Sequence, residues 1–329
     1  MVFRNGRFMR IAAFAGTAML AVACCAHAEP LLFVGDGGSF SLRTFDATTG
    51  APLNNDTAGG SLGFPSGIAF GPDGNVYVAD MSNGLVDRFS GSNGAFIGDF
   101  VAPGSGLVSP SGIAFGGDGN LYVADYGSGG QSFIDVFNGT TGAFVQQLVA
   151  PGAGAPNGGL DDPNGIAFGP DGLYVSDQGN GVDVFDPTTG TFITVLVPTG
   201  GPGNLADPSG LVFGPNGNLF VTDETNGVVD QFNGVTGAFV GIFGDTSSLV
   251  QPIDLAFGPD GNLYVTDANG VEAFNGTTGA SLGTFIPADG TNLDNAQYLA
   301  FSTPEPSTIV LFVGGLALIA LFRFRSHRA

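Results

Sequence analysis

Residues 66–70 form a short apolar run, Pro72-Asp73-Gly74 reads as a turn, and residues 76–78 form a second apolar run. Proline ahead of glycine in the turn, with β-branched and aromatic residues on both sides, predicts a hairpin. After Asp80 the pattern continues through a Gly-containing turn to an apolar run at 85–89, a polar turn at 90–94 and a last apolar run at 95–101. Four runs of strand length separated by turn signals predict a four-stranded antiparallel meander of about 45 residues.

The unit recurs. PSGIAFGPDGNVYVAD at Pro65 returns as PSGIAFGGDGNLYVAD at Pro110, PNGIAFGPDGLYVSD at Pro163, PSGLVFGPNGNLFVTD at Pro208 and PIDLAFGPDGNLYVTD at Pro252. An aspartate closes the second run each time: Asp36, Asp80, Asp125, Asp177, Asp223 and Asp267. That makes six copies, one of them split. Its first strand is expected at 297–301, and its other three at 31–34, at 41–45 and near Ala51. A split unit is expected where an array closes on itself, because N-terminal strands that pair onto the last strand cover both open edges. The expected fold is all-β, a six-bladed β-propeller with ring closure by N-terminal strands.

Pro-x-Gly-Ile-Ala-Phe, then Asp-Gly-Asn-Leu-Tyr-Val-x-Asp, then an apolar strand ending in Phe, resembles the NHL-repeat propellers over most of residues 30–301. This chain departs from them in two respects. It carries Asn-Gly-Thr-Thr-Gly at the third turn, as at Asn138 and Asn275, and it lacks the basic residue that many such repeats place before the third strand. The resemblance covers enzymes, binding modules and scaffolds, so it selects no activity.

The two ends read differently from the repeats. Residues 1–28 carry Arg4, Arg7 and Arg10, an apolar run at 11–23 and Ala26-His27-Ala28, the pattern of an export signal cleaved after Ala28. Cys24 leaves lipid modification open as an alternative. Residues 304–329 begin Pro304-Glu305-Pro306 and continue with an apolar run at 309–322 and Arg323, Arg325 and Arg328. This resembles the PEP-CTERM sorting signal. The resemblance implies an exosortase-type sorting enzyme as a partner, a transient membrane anchor, and delivery to the cell surface or outside, often alongside exopolysaccharide. A plain membrane tail is the other reading, although the run is shorter than the roughly 20 residues of a stable span. The propeller is then residues 29–303, with membrane contact through the C-terminal segment alone.

Within those limits the chain has 28 acidic residues and two basic ones, Arg43 and Arg88, a formal charge of −26. Nucleic acid is excluded as a partner, because phosphate binding needs a basic surface. Cations or cationic partners are favoured. Both histidines and both cysteines fall in the terminal segments, and lysine is absent. A Ser-His-Asp triad, a thiol nucleophile, a histidine zinc site and a lysine Schiff base therefore have no residues to draw on. Carboxylates and hydroxyls remain. The first functional reading is a non-enzymatic binding or scaffold module whose partner is an extracellular polysaccharide or another exported protein. The alternative is a metal-dependent lactonase or lyase-like propeller enzyme.

The six strand-ending aspartates read as structural, since aspartate before a tight turn accepts bonds from nearby backbone N–H groups. The turn acids Asp73, Asp118, Asp171 and Asp260 read the same way. Asp87, Asp135, Asp183, Asp230 and Glu272 share a register in the third strand, where the split unit has Arg43. Two readings stay open for that arginine: an ion pair to a neighbouring blade, or an exposed side chain contributing little. The recurring phenylalanines read as packing between blades. One register of the inner strand holds Gly67, Gly112, Gly165 and Gly210, then Asp254 and Tyr298. Those two exceptions, with Asp161, Asp162, Asp207 and Asp294 on the same rim, are the candidate ligand-binding residues. Asp245 and Asp289 join them in the rim charge. Calcium is the cation that such hard oxygen ligands would suit.

Overall fold

The pattern of short apolar runs and glycine turns folds as expected into a six-bladed propeller, obtained as a computed structural model that describes residues 30–53, 62–128, 131–152, 159–244 and 249–302. The expected export signal at 1–28, the sorting signal at 304–329 and Asp245 lie outside the described residues. No helix among the described residues is long and apolar enough to cross a membrane.

Blade one runs outward from the axis as Pro65–Phe70, Val76–Asp80, Leu85–Phe89 and Phe96–Val101. Blades two to five repeat the meander from the inner strands Pro110–Phe115, Pro163–Gly169, Pro208–Phe213 and Leu255–Phe257. In the sixth sheet Leu31–Asp36 lies between Ser41–Asp46 and Ala296–Phe301. The strand expected near Ala51 is reduced to one isolated bridge, Phe45 to Pro52. Proline there has no N–H to extend a ladder.

Blades pack face to face through aromatic rings. Each inner-strand phenylalanine meets, edge to face or tilted, a ring on the second strand of the preceding blade: Phe70 with Phe33, Phe115 with Tyr77, Phe168 with Tyr122, Phe213 with Tyr174, Phe257 with Phe220 and Phe301 with Tyr264. The third-strand phenylalanines, among them Phe89, Phe137, Phe185 and Phe232, are fully buried and cross a ring on their own outer strand. Large rings at offset geometry fill the wedge between sheets and add about 1 kcal/mol per pair beyond burial.

Near the axis, hydroxyls tie each of blades one to five to the next. Ser66 Oγ donates to the Pro110 carbonyl at 2.7 Å and Ser111 Oγ to that of Pro163. In the next three blades the donor moves to the second strand: Ser176 to Ser209, Thr222 to Ile253 at 2.8 Å and Thr266 to Gln297. Where the second strand has Ala79 or Ala124 the inner strand supplies the serine, so the donor survives while its position changes. Thr266→Val keeps the shape but leaves the buried Gln297 carbonyl without this donor. A loss of about 1–2 kcal/mol is expected in urea unfolding. A variant as stable as the parent would show that the bridge contributes nothing.

Candidate functional site

The six strand-ending aspartates are completely buried, and each accepts backbone N–H groups of the loops on one face of the ring. Asp80 accepts the N–H of Gly63 at 2.7 Å and of Phe64 at 3.2 Å from the loop entering the blade, and that of Asn83 at 3.1 Å from the turn after its own strand. Asp125 takes Val108 and Ser109, Asp223 takes Ala206 and Asn226, and Asp267 takes Val250 and Asn269. Such bonds favour the charged form, yet burial outweighs them and lifts Asp125, Asp177 and Asp267 above the ordinary carboxylate range. Their role is structural, as the sequence implied. So is that of Asp73, Asp118 and Asp260, which hold Asn75 and Tyr77, Asn120 and Tyr122, and Asn262 and Tyr264.

The third-strand acids sit beside these aspartates, on the same face of the blade. Burial first, and the strand-ending carboxylate second, push Asp183 and Asp230 up to about 7 and Asp135 to about 6. Asp87 reaches about 7 through burial, Asp80 and Asp99, and Glu272 is raised by burial although Thr284 donates to it at 2.7 Å. In the sixth sheet Arg43 occupies this register and its Nε lies 3.2 Å from Asp36. It therefore pairs within its own hairpin, because Val34 to Arg43 and Asp36 to Ser41 are successive pairs on one face. Burial works against the Asp36 charge, but Ser39, Asn295 and Arg43 together hold it below its ordinary value.

At the axis the inner strands nearly touch. A Cβ on Gly67 would lie 2.3 Å from the Ser111 carbonyl oxygen, and one on Gly112 2.3 Å from that of Asn164, so no side chain fits there without moving backbone. At the two exceptions the side chains face a cavity of about 130 Å³ on the axis. Asp254 accepts the Leu299 N–H at 3.0 Å, and burial lifts its carboxyl to about 7. Tyr298 is 8% exposed and lies near Ser209, two blades away. Burial, then the nearby charges of Asp254, Asp162 and Glu224, raise its pKa well above that of a free phenol.

Asp162 and Asp207 gather on the Tyr298 side of the ring. Burial and then Asp161, Asp177 and Asp207 raise Asp162, and burial and then Asp223 raise Asp207. Asp207 Oδ1 is buried without a hydrogen-bond partner. Asp161 is solvent-exposed beside Gly179, where its N–H binds Asp177 and its charge acts on Asp162. Asp294 is exposed beside Gly38 and stays outside the group, like Asp289, which closes its own turn on Thr291 and Asn292. Sequence reasoning missed Glu224 and Ser209. Burial and then Asp207 raise Glu224, whose register elsewhere holds Gly37, Met81, Tyr126, Gln178 and Ala268. An acid in that one blade was the available signal. Among the described residues no three carboxylates stand close enough together to hold a metal ion.

The sequence profile of the NHL repeat matches residues 62–89. None of the curated proteins compared with the chain matches it. Among solved structures the chain is similar to one in a nidogen–laminin complex, at 22% identity and a TM-score of 0.64 over 84% of this chain and 98% of that one. It is also similar to a protein of unknown function from Bacteroides caccae, at 16% identity and a TM-score of 0.60 over 83% and 99%. A third, provisionally called a gluconolactonase, aligns at 19% identity and a TM-score of 0.54 over 68% and 77%. At these identities the likeness establishes the fold alone.

Proposed function

We propose that this chain is an exported NHL-type propeller serving as a non-catalytic binding or scaffold module at the cell surface or in the surrounding matrix. Its acidic mouth of Asp162, Asp207 and Glu224 around Tyr298 receives a cationic partner. One observation carries this reading: three partly buried carboxylates raised above their ordinary pKa meet with no cation of the domain among them. Arg43 is engaged by Asp36, and Arg88 lies 4.0 Å from Asp73 at the opposite end of the blade. A bound cation relieves that repulsion and restores the charged forms. Export follows from residues 1–28. Transient anchoring and handling by an exosortase-type enzyme follow from residues 304–329. In such a setting the cationic partner is a polysaccharide with free amino groups or a basic segment of another exported protein.

The test is binding of the full-length chain to a polyglucosamine, its fully N-acetylated form and a basic peptide, at two salt concentrations. Binding to the cationic probes, weakened by salt and reduced about tenfold or more in the triple variant Asp162→Asn, Asp207→Asn, Glu224→Gln, is expected. Equal binding of the acetylated polymer, or a triple variant that binds like the parent, would overturn the proposal.

A further inference from the structure

The channel has two chemically different ends. Asp254 and Tyr298 face the axial cavity, and below them the next residue of every inner strand is aliphatic: Ile68, Ile113, Ile166, Leu211, Leu255 and Leu299. On the face of the Pro-Asp-Gly turns a second space of about 440 Å³ opens among Phe70, Val212, Phe213, Phe257 and Phe301, with no charged side chain along its walls. Ile68 and Leu299 line both spaces, so the two adjoin. Tyr298 lines the same cavity, near Ser209 of blade four and within the influence of the rim acids Asp162 and Glu224. Asp254 is therefore a single carboxylate at the head of an apolar shaft.

We propose that this shaft binds a primary alkylammonium, its ammonium on the Asp254 carboxylate and its alkyl chain among the phenylalanines of the wide mouth. The choice of head group follows from the donors and acceptors present. Calcium takes six to eight oxygen ligands, and Asp254 is the one carboxylate lining the cavity. A guanidinium binds best to both oxygens of a carboxylate, and Oδ2 of Asp254 is already engaged by Leu299. An ammonium is a compact point charge with three donors, suited to a single carboxylate oxygen together with backbone carbonyls. Gly67, Gly112 and Gly165, bare of side chains, bring their backbone to the same cavity. The tail is selected by area: an apolar wall returns roughly 0.8 kcal/mol for each methylene buried. Among the described residues no cation stands beside Asp254, so the ammonium supplies the charge that balances the buried carboxylate.

The tail pocket lies on the face away from the acidic rim, and the ammonium contact is Asp254 and not a rim carboxylate, so the proposal does not rest on binding at the rim. Calorimetric titration of the full-length chain with n-hexylamine, n-hexanol, n-hexanoate and ethylamine tests the proposal. Hexylamine should bind about tenfold or more tighter than hexanol and ethylamine, and hexanoate should not bind. Asp254→Asn, which can still accept the Leu299 N–H, should keep the parental melting temperature and remove the preference for amine over alcohol. Phe257→Ala should weaken hexylamine and leave ethylamine unchanged. The rim variant Asp162→Asn, Asp207→Asn, Glu224→Gln should bind hexylamine like the parent, so failure at the rim and failure in the shaft are distinguishable. Equal binding of hexanol and hexylamine by the unmutated chain, or of hexylamine by folded Asp254→Asn and parent, would overturn the proposal.

Discussion

Deletion of residues 29–46 is expected to abolish cooperative unfolding and drive the protein into aggregates. The deleted stretch holds two of the three strands of the sixth sheet, and Leu32, Phe33, Val34, Leu42 and Phe45 are each at most 1% exposed. Each such side chain contributes about 1.5–3 kcal/mol through burial. Together they approach or exceed the roughly 5–15 kcal/mol of net stability that holds a typical domain folded. The loss also bares Ala296–Phe301, whose partner in the sheet is Leu31–Asp36. An unpaired apolar edge is a template for association. Size-exclusion chromatography and circular dichroism against urea read both consequences. A monomeric variant that unfolds at the parental midpoint would mean that the N-terminal strands contribute no stability.

Acidification from pH 8 to pH 5 should raise the melting temperature by about 5 °C or more. Asp87, Asp183 and Asp230 titrate near 7 and Asp135 near 6 in the folded protein, because burial and then a neighbouring carboxylate penalise their charge. An unfolded carboxyl titrates near 4. The folded state therefore binds protons that the unfolded state has released. The resulting stability is complete below about pH 4 and is lost as pH rises through 6 to 7. At the acid end Asp36, Asp73 and Asp118, held below their ordinary values by hydrogen bonds that outweigh burial, lose their contribution, so the optimum falls between these limits. Asp230 isolates the effect, since both its oxygens are buried without a hydrogen-bond partner. Asp230→Asn should raise the melting temperature by a few degrees at pH 8 and change it little at pH 5. A melting temperature that climbs with pH, or a substitution equally costly at both values, would contradict this account.

Strand order, blade number and the split sixth unit were legible in the sequence because each rests on local chemistry. Pro-Asp-Gly and Asn-Gly-Thr-Thr-Gly set the turns, alternating apolar residues set the strands, and a 44- to 52-residue repeat of one aspartate counted the blades. The same repetition marked those aspartates as structural and singled out Asp254 and Tyr298. Distances across the ring were not legible. Which carboxylates face one another depends on which blades are opposed around the axis and on how far each side chain reaches. Asp162, Asp207 and Glu224 come together while Asp294, on the same nominal rim, stands beside Gly38. Arg43 meets Asp36 seven residues away, because a hairpin register brings a charge on one strand beside its diagonal neighbour on the next. The hydroxyl bridges moved between strands without leaving a fixed motif, since a serine on either strand can reach the same carbonyl. Turn chemistry and periodicity act through neighbours in sequence, so the chain alone determined the propeller. The site is made of contacts between residues far apart in the chain, and tertiary structure alone decided it.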